Sequence, residues 1–247
     1  MILELDCGNT LIKWRVLGAD SGDVIFYGSV PGIADLLLAL QQLPALSLRR
    51  CRLVSVRGED ETVQLITEIE RVFALRCCLA QPAQSVAGVR NGYLDYQRLG
   101  MDRWLALVGA YQLAGRACLI LDLGTAITAD YVDAAGEHLG GYICPGLPLM
   151  RGLLRTHTQR IRYEDSAVGP RAFAPLPGRT TLDAVEGGGL LMLRGFAQAQ
   201  LGIATQCLGA NFEVFLTGGD SSLVEDVMPF ARVVPDLVFV GLAVVCP

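Results

Sequence analysis

The chain has 247 residues, a formal net charge of −5 and a single lysine, Lys13, among its 20 basic residues. This acidic balance is unlike that of nucleic-acid-binding proteins, which usually present a basic face. A P-loop needs its lysine after glycine and a protein kinase needs it after a glycine-rich loop, so Lys13, which follows Ile12, excludes both. Two histidines are too few for a multi-histidine zinc site, and no GxGxxG dinucleotide motif is present.

Eight cysteines are spread along the chain without a CxxC pair. A chain of this length can bury a core without disulfides, so we expect free thiols in a reducing cytoplasm. Glu4 and Asp6 interrupt the first apolar run, which argues against a signal peptide. The longest uncharged stretch, residues 195–212, contains three glutamines and is typical of a buried helix and loop. We therefore expect no membrane partner.

The first half of the chain predicts an α/β domain that opens with a β-hairpin. Apolar and polar residues alternate on both sides of a turn at Gly8-Asn9, which is typical of paired strands. The basic run at 49–52 is typical of a solvated strand edge. In chain order, the pattern predicts strands at 1–7, 12–16 and 23–30, a helix at 34–43, a strand at 51–56, and helices at 61–73 and 102–113.

The second half repeats the opening motif. Leu5-Asp6-Cys7-Gly8-Asn9-Thr10 is matched by Leu121-Asp122-Leu123-Gly124-Thr125-Ala126, near half the chain length further on. Such self-similarity indicates a duplicated α/β domain, with one copy in residues 1–115 and the other in 116–247. The remaining pattern predicts strands at 117–123, 127–132 and 137–144, a helix at 147–155, a Pro/Arg-rich loop at 160–179, a helix at 182–208, a strand at 213–217 and a turn at Gly218-Gly219.

Each repeat combines a glycine turn with a carboxylate, Asp6 in the first and Asp122 in the second. Glycine lets the backbone approach an anion closely because no Cβ intervenes. Backbone amides bind phosphate oxygens, while carboxylates hold Mg²⁺ or its water ligands. The two turns therefore predict a site for a nucleotide polyphosphate, to which Lys13 can add a point charge. The alternative is a pair of ordinary hairpins.

Four motifs follow one another along the chain: Asp6-Cys7-Gly8-Asn9-Thr10-Leu11-Ile12-Lys13, Gly100-Met101-Asp102-Arg103, Asp122-Leu123-Gly124-Thr125-Ala126-Ile127-Thr128-Ala129-Asp130 and Gly141-Tyr142-Ile143-Cys144-Pro145-Gly146. In this order they resemble the first phosphate motif, the G-x-D-R pantothenate motif, the second phosphate motif and the glycine-rich strand-to-helix turn of the type III pantothenate kinases, in the acetate and sugar kinase/Hsp70/actin superfamily. The family's later substrate segment is resembled by Thr181, Ala184 and Gly188, and its adenosine-side turn by Thr217-Gly218-Gly219-Asp220. The match therefore runs from residue 6 to about residue 220.

The resemblance implies an α/β fold of two duplicated actin-like (ribonuclease H-like) domains, each with a mixed central sheet and flanking helices, and a cleft between them. It further implies that ATP is the phosphoryl donor. Asp6 is implied to orient Mg²⁺ through water, and Asp122 to coordinate a monovalent cation, potassium or ammonium. The implied ATP-binding residues are Asp6, Cys7, Gly8, Asn9, Thr10, Leu11, Ile12, Lys13, Gly124 and Thr125.

Asp102 is implied to be the general base that takes the proton of the primary hydroxyl of pantothenate. Taken alone, an Asp at the start of a helix is more often an N-cap. Arg103 is implied to hold the carboxylate of pantothenate as a bidentate fork, the alternative being a surface arginine. The other implied substrate-binding residues are Tyr96, Gly100, Met101 and Thr181. Tyr96 could also be a partly buried tyrosine with a solvated hydroxyl, and Thr181 could cap the following helix, where Thr180 replaces the usual Asn of the family.

The resemblance implies a cytoplasmic homodimer that phosphorylates pantothenate at the first step of coenzyme A synthesis. One alternative is another enzyme of the superfamily, such as a sugar kinase, an acetate kinase or an exopolyphosphatase. A second is a non-catalytic accessory factor in transcription, as relatives of the family were described. Asp6, Asp102 and Asp122 favour an enzyme over a pure binding protein. His138 and His157 belong to no motif, and we expect both to be structural or surface residues.

Overall fold

The computed structural model describes residues 1–18, 21–158, 161 and 176–247. The predicted loop at 160–179 therefore lies mostly outside the described residues. In chain order the strands and helices are β1 (Ile2–Cys7), β2 (Ile12–Leu17), β3 (Val24–Val30), α1 (Ile33–Gln41), β4 (Arg50–Ser55), α2 (Glu59–Phe73), β5 (Cys77–Leu79), β6 (Ser85–Val86), β7 (Val89–Arg90), α3 (Met101–Ala114), β8 (Cys118–Leu123), β9 (Ala126–Val132), β10 (His138–Pro145), α4 (Leu147–His157), α5 (Thr181–Leu208), β11 (Glu213–Thr217), β12 (Arg232–Val233) and α6 (Leu237–Val245).

Two five-stranded sheets carry the fold, and they share one topology. The first has the order β3-β2-β1-β4-β5, and the second has the order β10-β9-β8-β11-β12. In each, three strands pair antiparallel and two further strands run parallel to the first strand of the repeat. The repeated pattern confirms the α/β class and the duplication expected from the matching Asp-x-Gly turns.

The chain divides into two compact units. The first contains Met1–Leu113 together with Asp236–Pro247, and the second contains Ala114–Pro235. The C-terminal segment thus belongs to the first unit, whereas the sequence pattern assigns all of 116–247 to the second domain. The difference arises because α6 packs against β1 and β4 of the first sheet.

Strand β1 has two buried faces of different character. Leu3, Leu5 and Cys7 are fully buried in a core that also contains side chains of α1 and α2. Because side chains alternate along a strand, Glu4 and Asp6 lie on the opposite face. On the neighbouring strand β4, Val54 belongs to a second core cluster formed with α3 and α6. Asp6 therefore points to the side of the sheet on which α3 begins.

Helices α3 and α6 approach each other through glycine. A Cβ added to Gly241 would lie 1.9 Å from the carbonyl oxygen of Leu105, and one added to Gly109 would lie 2.7 Å from that of Leu237. Only hydrogen fits at these two positions, which allows direct contact between the helix backbones. This close packing is what anchors the C-terminal helix in the first unit.

A buried ionic cluster lies on the same side of the first sheet. Glu4 is fully buried and forms ion pairs with Arg15 and Arg52. Arg15 also pairs with Asp236, while Arg52 donates to the carbonyl oxygen of Cys246 at 3.0 Å. Both arginines thereby hold the ends of α6. The expectation of a solvated edge at 49–52 is wrong for Arg52, because β4 lies inside the sheet between β1 and β5.

The second unit has a core of its own between its sheet and α5. Leu119, Leu121 and Leu123 of β8 are buried in it. His138 is buried, with Nε2 2.9 Å from Oδ1 of Asp130, and His157 is exposed, so the expectation for both histidines is confirmed. All eight cysteines are free thiols. Within the described part of the chain, no helix is both long enough and apolar enough to cross a membrane.

Candidate active site

The first phosphate motif forms the turn between β1 and β2. The N–H of Gly8 donates to the carbonyl oxygen of Leu11 at 3.0 Å, which closes the loop. Asn9 and Thr10 at its tip are exposed. Cys7 and Ile12 are fully buried in the core, so these two residues of the motif can offer only backbone groups to a ligand. We call residues 8–11 the phosphate loop.

Asp6 lies at the base of this loop, directly opposite Lys13 in the β1–β2 register. Burial raises the pKa of the Asp6 carboxyl from 3.8 to about 6; the charge of Lys13 lowers it and the charge of Asp102 raises it. Asp102 therefore lies within electrostatic reach of Asp6. The structure brings together residues from the first phosphate motif and from the G-x-D-R motif, both of which belong to the first unit.

Asp102 lies in the first turn of α3, one residue after the helix begins. Its Oδ1 accepts a hydrogen bond from the N–H of Arg103 at 2.8 Å. A Cβ on Gly100 would lie 2.8 Å from the same oxygen, so glycine leaves room for the carboxylate in this position. The helix starts at Met101, which means that Asp102 is a helical residue rather than the N-cap that its position in the sequence alone favours.

The guanidinium of Arg103 faces Tyr93. Nη1 donates to the Tyr93 hydroxyl at 2.6 Å, and Cζ lies 5.5 Å from the centre of the tyrosine ring. Arg103 is only 6% exposed, so it is not an ordinary surface arginine. The family resemblance points to Tyr96, whereas the tyrosine that contacts Arg103 is Tyr93. Both tyrosines precede the G-x-D-R motif, and spacing alone does not distinguish them.

Asn91 explains why Tyr93 is the tyrosine that reaches Arg103. The Oδ1 of Asn91 accepts from the N–H of Tyr93 at 3.0 Å, and its Nδ2 donates to the carbonyl oxygen of Tyr96 at 3.2 Å. These two bonds form a compact bend, and Tyr96 begins a short 3₁₀ turn after it. The sequence held one signal for this bend: Asn91 stands two positions before Tyr93, in a segment rich in turn-forming residues.

The second phosphate motif forms the corresponding turn between β8 and β9. The N–H of Gly124 donates to the carbonyl oxygen of Ala126 at 3.1 Å, and the N–H of Gly146 donates to that of Thr125 at 2.9 Å. A Cβ on Gly146 would lie 2.1 Å from the carbonyl oxygen of Gly124. The start of α4 therefore packs directly on this turn, and Thr125 is exposed at its tip.

A third glycine turn, after β11, packs on Asp122. Gly218 has a φ of +88°, and a Cβ there would lie 2.5 Å from both Oδ1 of Asp122 and the carbonyl oxygen of Leu123. The N–H of Asp220 donates to that same carbonyl at 2.9 Å. Burial raises the pKa of Asp220, and the nearby charge of Arg151 lowers it. The turns that contain Gly124, Gly146 and Gly218 thus meet at one end of the second sheet.

Thr181 does not cap the helix that follows it. The N-cap of α5 is Thr180, whose hydroxyl accepts from the N–H of Asp183 at 3.1 Å. Thr181 is the first helical residue and lines a cavity of about 600 Å³ between α4 and α5. Arg151, which pairs with Glu186 through an Nε–Oε1 contact of 2.7 Å, lines the same cavity.

Residues 2–202 match the sequence profile of the family described as type III pantothenate kinase. A type III pantothenate kinase from Pseudomonas savastanoi pv. phaseolicola is 57% identical over 247 residues, which cover all of this chain and 99% of the relative. One from Pseudomonas paraeruginosa is 57% identical over 248 residues with the same coverage. The chain belongs to the type III pantothenate kinase family.

Solved structures show the same fold at low sequence identity. A putative 2-dehydro-3-deoxygalactonokinase from Sinorhizobium meliloti matches with a TM-score of 0.60 at 18% identity, over 99% of this chain and 95% of that one. A putative Baf family transcriptional activator from Campylobacter jejuni matches with a TM-score of 0.59 at 20% identity, over 98% and 96%. The expected actin-like kinase fold is thereby confirmed for this type III pantothenate kinase family member.

Proposed function

We propose that the protein transfers the γ-phosphoryl group of ATP to pantothenate, giving 4′-phosphopantothenate and ADP at the first step of coenzyme A synthesis. Full-length identity of 57% to type III pantothenate kinases carries this proposal. The geometry of the first unit supports it, because Asp102 lies within electrostatic reach of the phosphate loop base at Asp6.

In this proposal each glycine turn, taken by itself, is a phosphate-binding element. Backbone N–H groups and the exposed Asn9 and Thr10 side chains of the first turn donate to phosphate oxygens, as does Thr125 in the second. Lys13, whose side chain is exposed next to Asp6 in the register, supplies a compact positive charge. Cys7, Leu11 and Ile12 contribute through their backbone, while Gly8 and Gly124 allow close approach.

Asp102 is the proposed general base. It takes the proton of the primary hydroxyl of pantothenate as that oxygen bonds to the γ-phosphorus, and the bond from this phosphorus to the bridging oxygen of ADP breaks. A carboxylate is a weak base for an alcohol, but phosphoryl transfer passes through a loose transition state in which positioning and charge neutralisation supply most of the catalysis. Because Gly100 has no Cβ, this carboxylate has room at the start of α3.

Arg103 is proposed to bind the carboxylate of pantothenate as a charge-assisted donor. Its contact with Tyr93 holds the guanidinium in one orientation, and burial strengthens the interaction with an anion by lowering the local dielectric constant. Tyr93 therefore joins the proposed substrate site. The other residues proposed to contact substrate are Tyr96, Gly100, Met101 and Thr181.

The residues present fit the cations that the family implies. Mg²⁺ is usually held by one or two carboxylates, water and substrate phosphates, so the carboxylate of Asp6 beside the phosphate loop suits it, with water between them. Oδ1 of Asp122 and the carbonyl oxygen of Leu123 border a space that a Cβ on Gly218 would fill, and these oxygens suit potassium or ammonium. Both cations would neutralise triphosphate charge.

We further propose that the protein is a cytoplasmic homodimer and that each chain has two domains, with the boundary between them near residue 115. Leu149 and Leu153 of α4, and Leu191 and Met192 of α5, are apolar and exposed, as expected of a surface that associates with a second copy. Light scattering coupled to size-exclusion chromatography measures this directly. A mass near 53 kDa, twice that of one 26.5 kDa chain, is expected, and a mass of one chain would contradict the dimer.

Direct product analysis tests the activity. The protein is incubated with ATP, Mg²⁺ and pantothenate, with and without KCl or NH₄Cl, and 4′-phosphopantothenate is measured by mass spectrometry. Parallel reactions contain acetate or a panel of sugars. We expect phosphorylation of pantothenate alone, with stimulation by the monovalent cation. Phosphorylation of a sugar or acetate but not of pantothenate would assign another enzyme of the superfamily, and ATP binding without any product would assign a non-catalytic role.

A further inference from the structure

Arg57 lies beside the phosphate loop, although it belongs to none of the motifs. It follows β4 by two residues, and the N–H of the intervening Val56 donates to the carbonyl oxygen of Cys7 at 3.1 Å. The pairing between β1 and β4 thus continues past the end of β4. This extension brings the backbone of Arg57 alongside the point at which β1 enters the loop.

The guanidinium of Arg57 connects three segments of the first unit. Its Nε donates to the carbonyl oxygen of Gly8 at 2.8 Å, and its Nη2 donates to that of Pro31 at 3.3 Å. Its Nη1 pairs with the carboxylate of Glu61 in α2. The Arg57 side chain is only 9% exposed. Glu61 therefore neutralises the charge of Arg57. The donors of the guanidinium connect the phosphate loop to the segment after β3 and to α2.

The bond to Gly8 determines which way one peptide group faces. The Gly8 carbonyl and the Asn9 N–H belong to the same planar trans peptide, in which they point in opposite directions. Because Arg57 draws the carbonyl to its own side, the Asn9 N–H points to the other. Among the described residues, this N–H has no hydrogen-bond acceptor. The Gly8 N–H is already bonded to Leu11, so both polar groups of Gly8 are held.

We propose that Arg57 is a positioning residue for nucleotide binding: it fixes the Gly8–Asn9 peptide so that the Asn9 N–H is oriented in advance toward a phosphate oxygen of ATP. The inference rests on the proposed function only in taking the phosphate loop to bind ATP. Arg57 acts through geometry rather than through its charge, which distinguishes its role from that of Lys13. Preorganised donors avoid the entropic cost of ordering a loop on binding.

Three variants test this proposal. Arg57→Gln removes both the charge and the bond to Gly8, while Arg57→Lys keeps the charge beside Glu61 but cannot donate from an Nε–Nη fork. Arg71→Gln is the matched control, because Arg71 makes an exposed i,i+3 ion pair with Glu68 on α2 and is remote from the loop contacts. Steady-state kinetics give the KM for each substrate, calorimetry gives the Kd for ATP, and thermal unfolding reports on folding.

We expect Arg57→Gln to raise the KM and Kd for ATP at least tenfold and Arg57→Lys to raise them about fivefold, with the KM for pantothenate changed less than twofold. Arg71→Gln should match the wild type. An ATP KM within twofold of wild type in both Arg57 variants would overturn the proposal, as would a parallel rise in both KM values. If Arg57→Gln does not fold, the ATP KM of Arg57→Lys alone tests the proposal. If the wild type binds ATP but forms no 4′-phosphopantothenate, the proposed function fails while the Kd comparison still tests Arg57.

Discussion

The carboxyl groups of Asp6 and Asp102 lie close enough for the charge of Asp102 to raise the pKa of Asp6. Asp6 is the last residue but one of β1, and Asp102 is the second residue of α3, so the interaction joins two elements that are far apart in the chain. Burial is the larger cause of the raised pKa, and Lys13 offsets only part of it. Two carboxylates held near one another destabilise the free protein, and a bound cation would relieve that repulsion.

Replacing Asp6 should stabilise the free protein at neutral pH. The folded pKa of about 6 exceeds the ordinary 3.8, so the stability associated with the protonated carboxyl is full below pH 3.8 and is lost as the pH rises through 6. We expect Asp6→Asn to raise the free energy of unfolding by about 1–3 kcal/mol at pH 8, on the scale of 1.36 kcal/mol per pKa unit. The gain should be smaller at pH 5.

Urea unfolding at pH 5 and pH 8, in EDTA and without nucleotide, measures this difference. Asp35→Asn provides the control, since Asp35 is exposed in the first turn of α1. An equal gain at both pH values would show that the raised pKa of Asp6 is not the source. The same Asp6→Asn variant should lose activity, because it removes the proposed partner of Mg²⁺.

Removing the proposed base should abolish turnover while leaving nucleotide binding intact. General-base catalysis contributes about 10²–10⁴-fold to rates, so Asp102→Asn should lower kcat by that factor with an unchanged Kd for ATP. The amide can still accept the bond from the N–H of Arg103, so the helix start should persist. A kcat within fivefold of wild type, measured by product formation, would remove Asp102 as the base.

Two tyrosine variants separate the substrate contacts near Arg103. Tyr93→Phe keeps the ring but deletes the hydroxyl that accepts from Nη1 at 2.6 Å. Loss of such a bond to a charged group is worth about 1.5–3 kcal/mol, so we expect the KM for pantothenate to rise tenfold or more while the KM for ATP stays constant. Tyr96→Phe is the comparison, and its effect should be smaller. A larger effect from Tyr96→Phe would favour the residue identified from the sequence.

Local patterns predicted the hairpin that carries the first phosphate motif, and long-range contacts account for what they missed. The alternation in β1 and the glycine at the turn are local features, and they placed Asp6 and Lys13 correctly at one end of a hairpin. A charged residue inside a strand normally indicates exposure, so the pattern could not show that Arg52 is paired with buried Glu4. Its partner lies on another strand, and pairing between strands is not encoded in either segment alone.

The same limit applies to the end of the chain. The sequence of α6 has no helical periodicity that distinguishes one face, because all nine of its residues are apolar or glycine. The contacts that identify its partners, such as that of Gly241 with the backbone of α3, join segments more than a hundred positions apart. For that reason the sequence assigns the segment to the neighbouring domain.

The glycine contact makes a prediction about stability. In Gly241→Ala the new methyl carbon would lie 1.9 Å from the Leu105 carbonyl oxygen, a backbone atom that cannot move without shifting α3. Overpacking of this kind costs typically 1–3 kcal/mol, and we expect about 3 kcal/mol by urea unfolding. The control is Gly152→Ala in α4, where a Cβ would meet nothing within 4 Å. Since alanine is favoured over glycine within a helix by about 0.5–1 kcal/mol, this variant should be slightly stabilised. Equal stability of the two variants would show that α6 does not require close approach to α3.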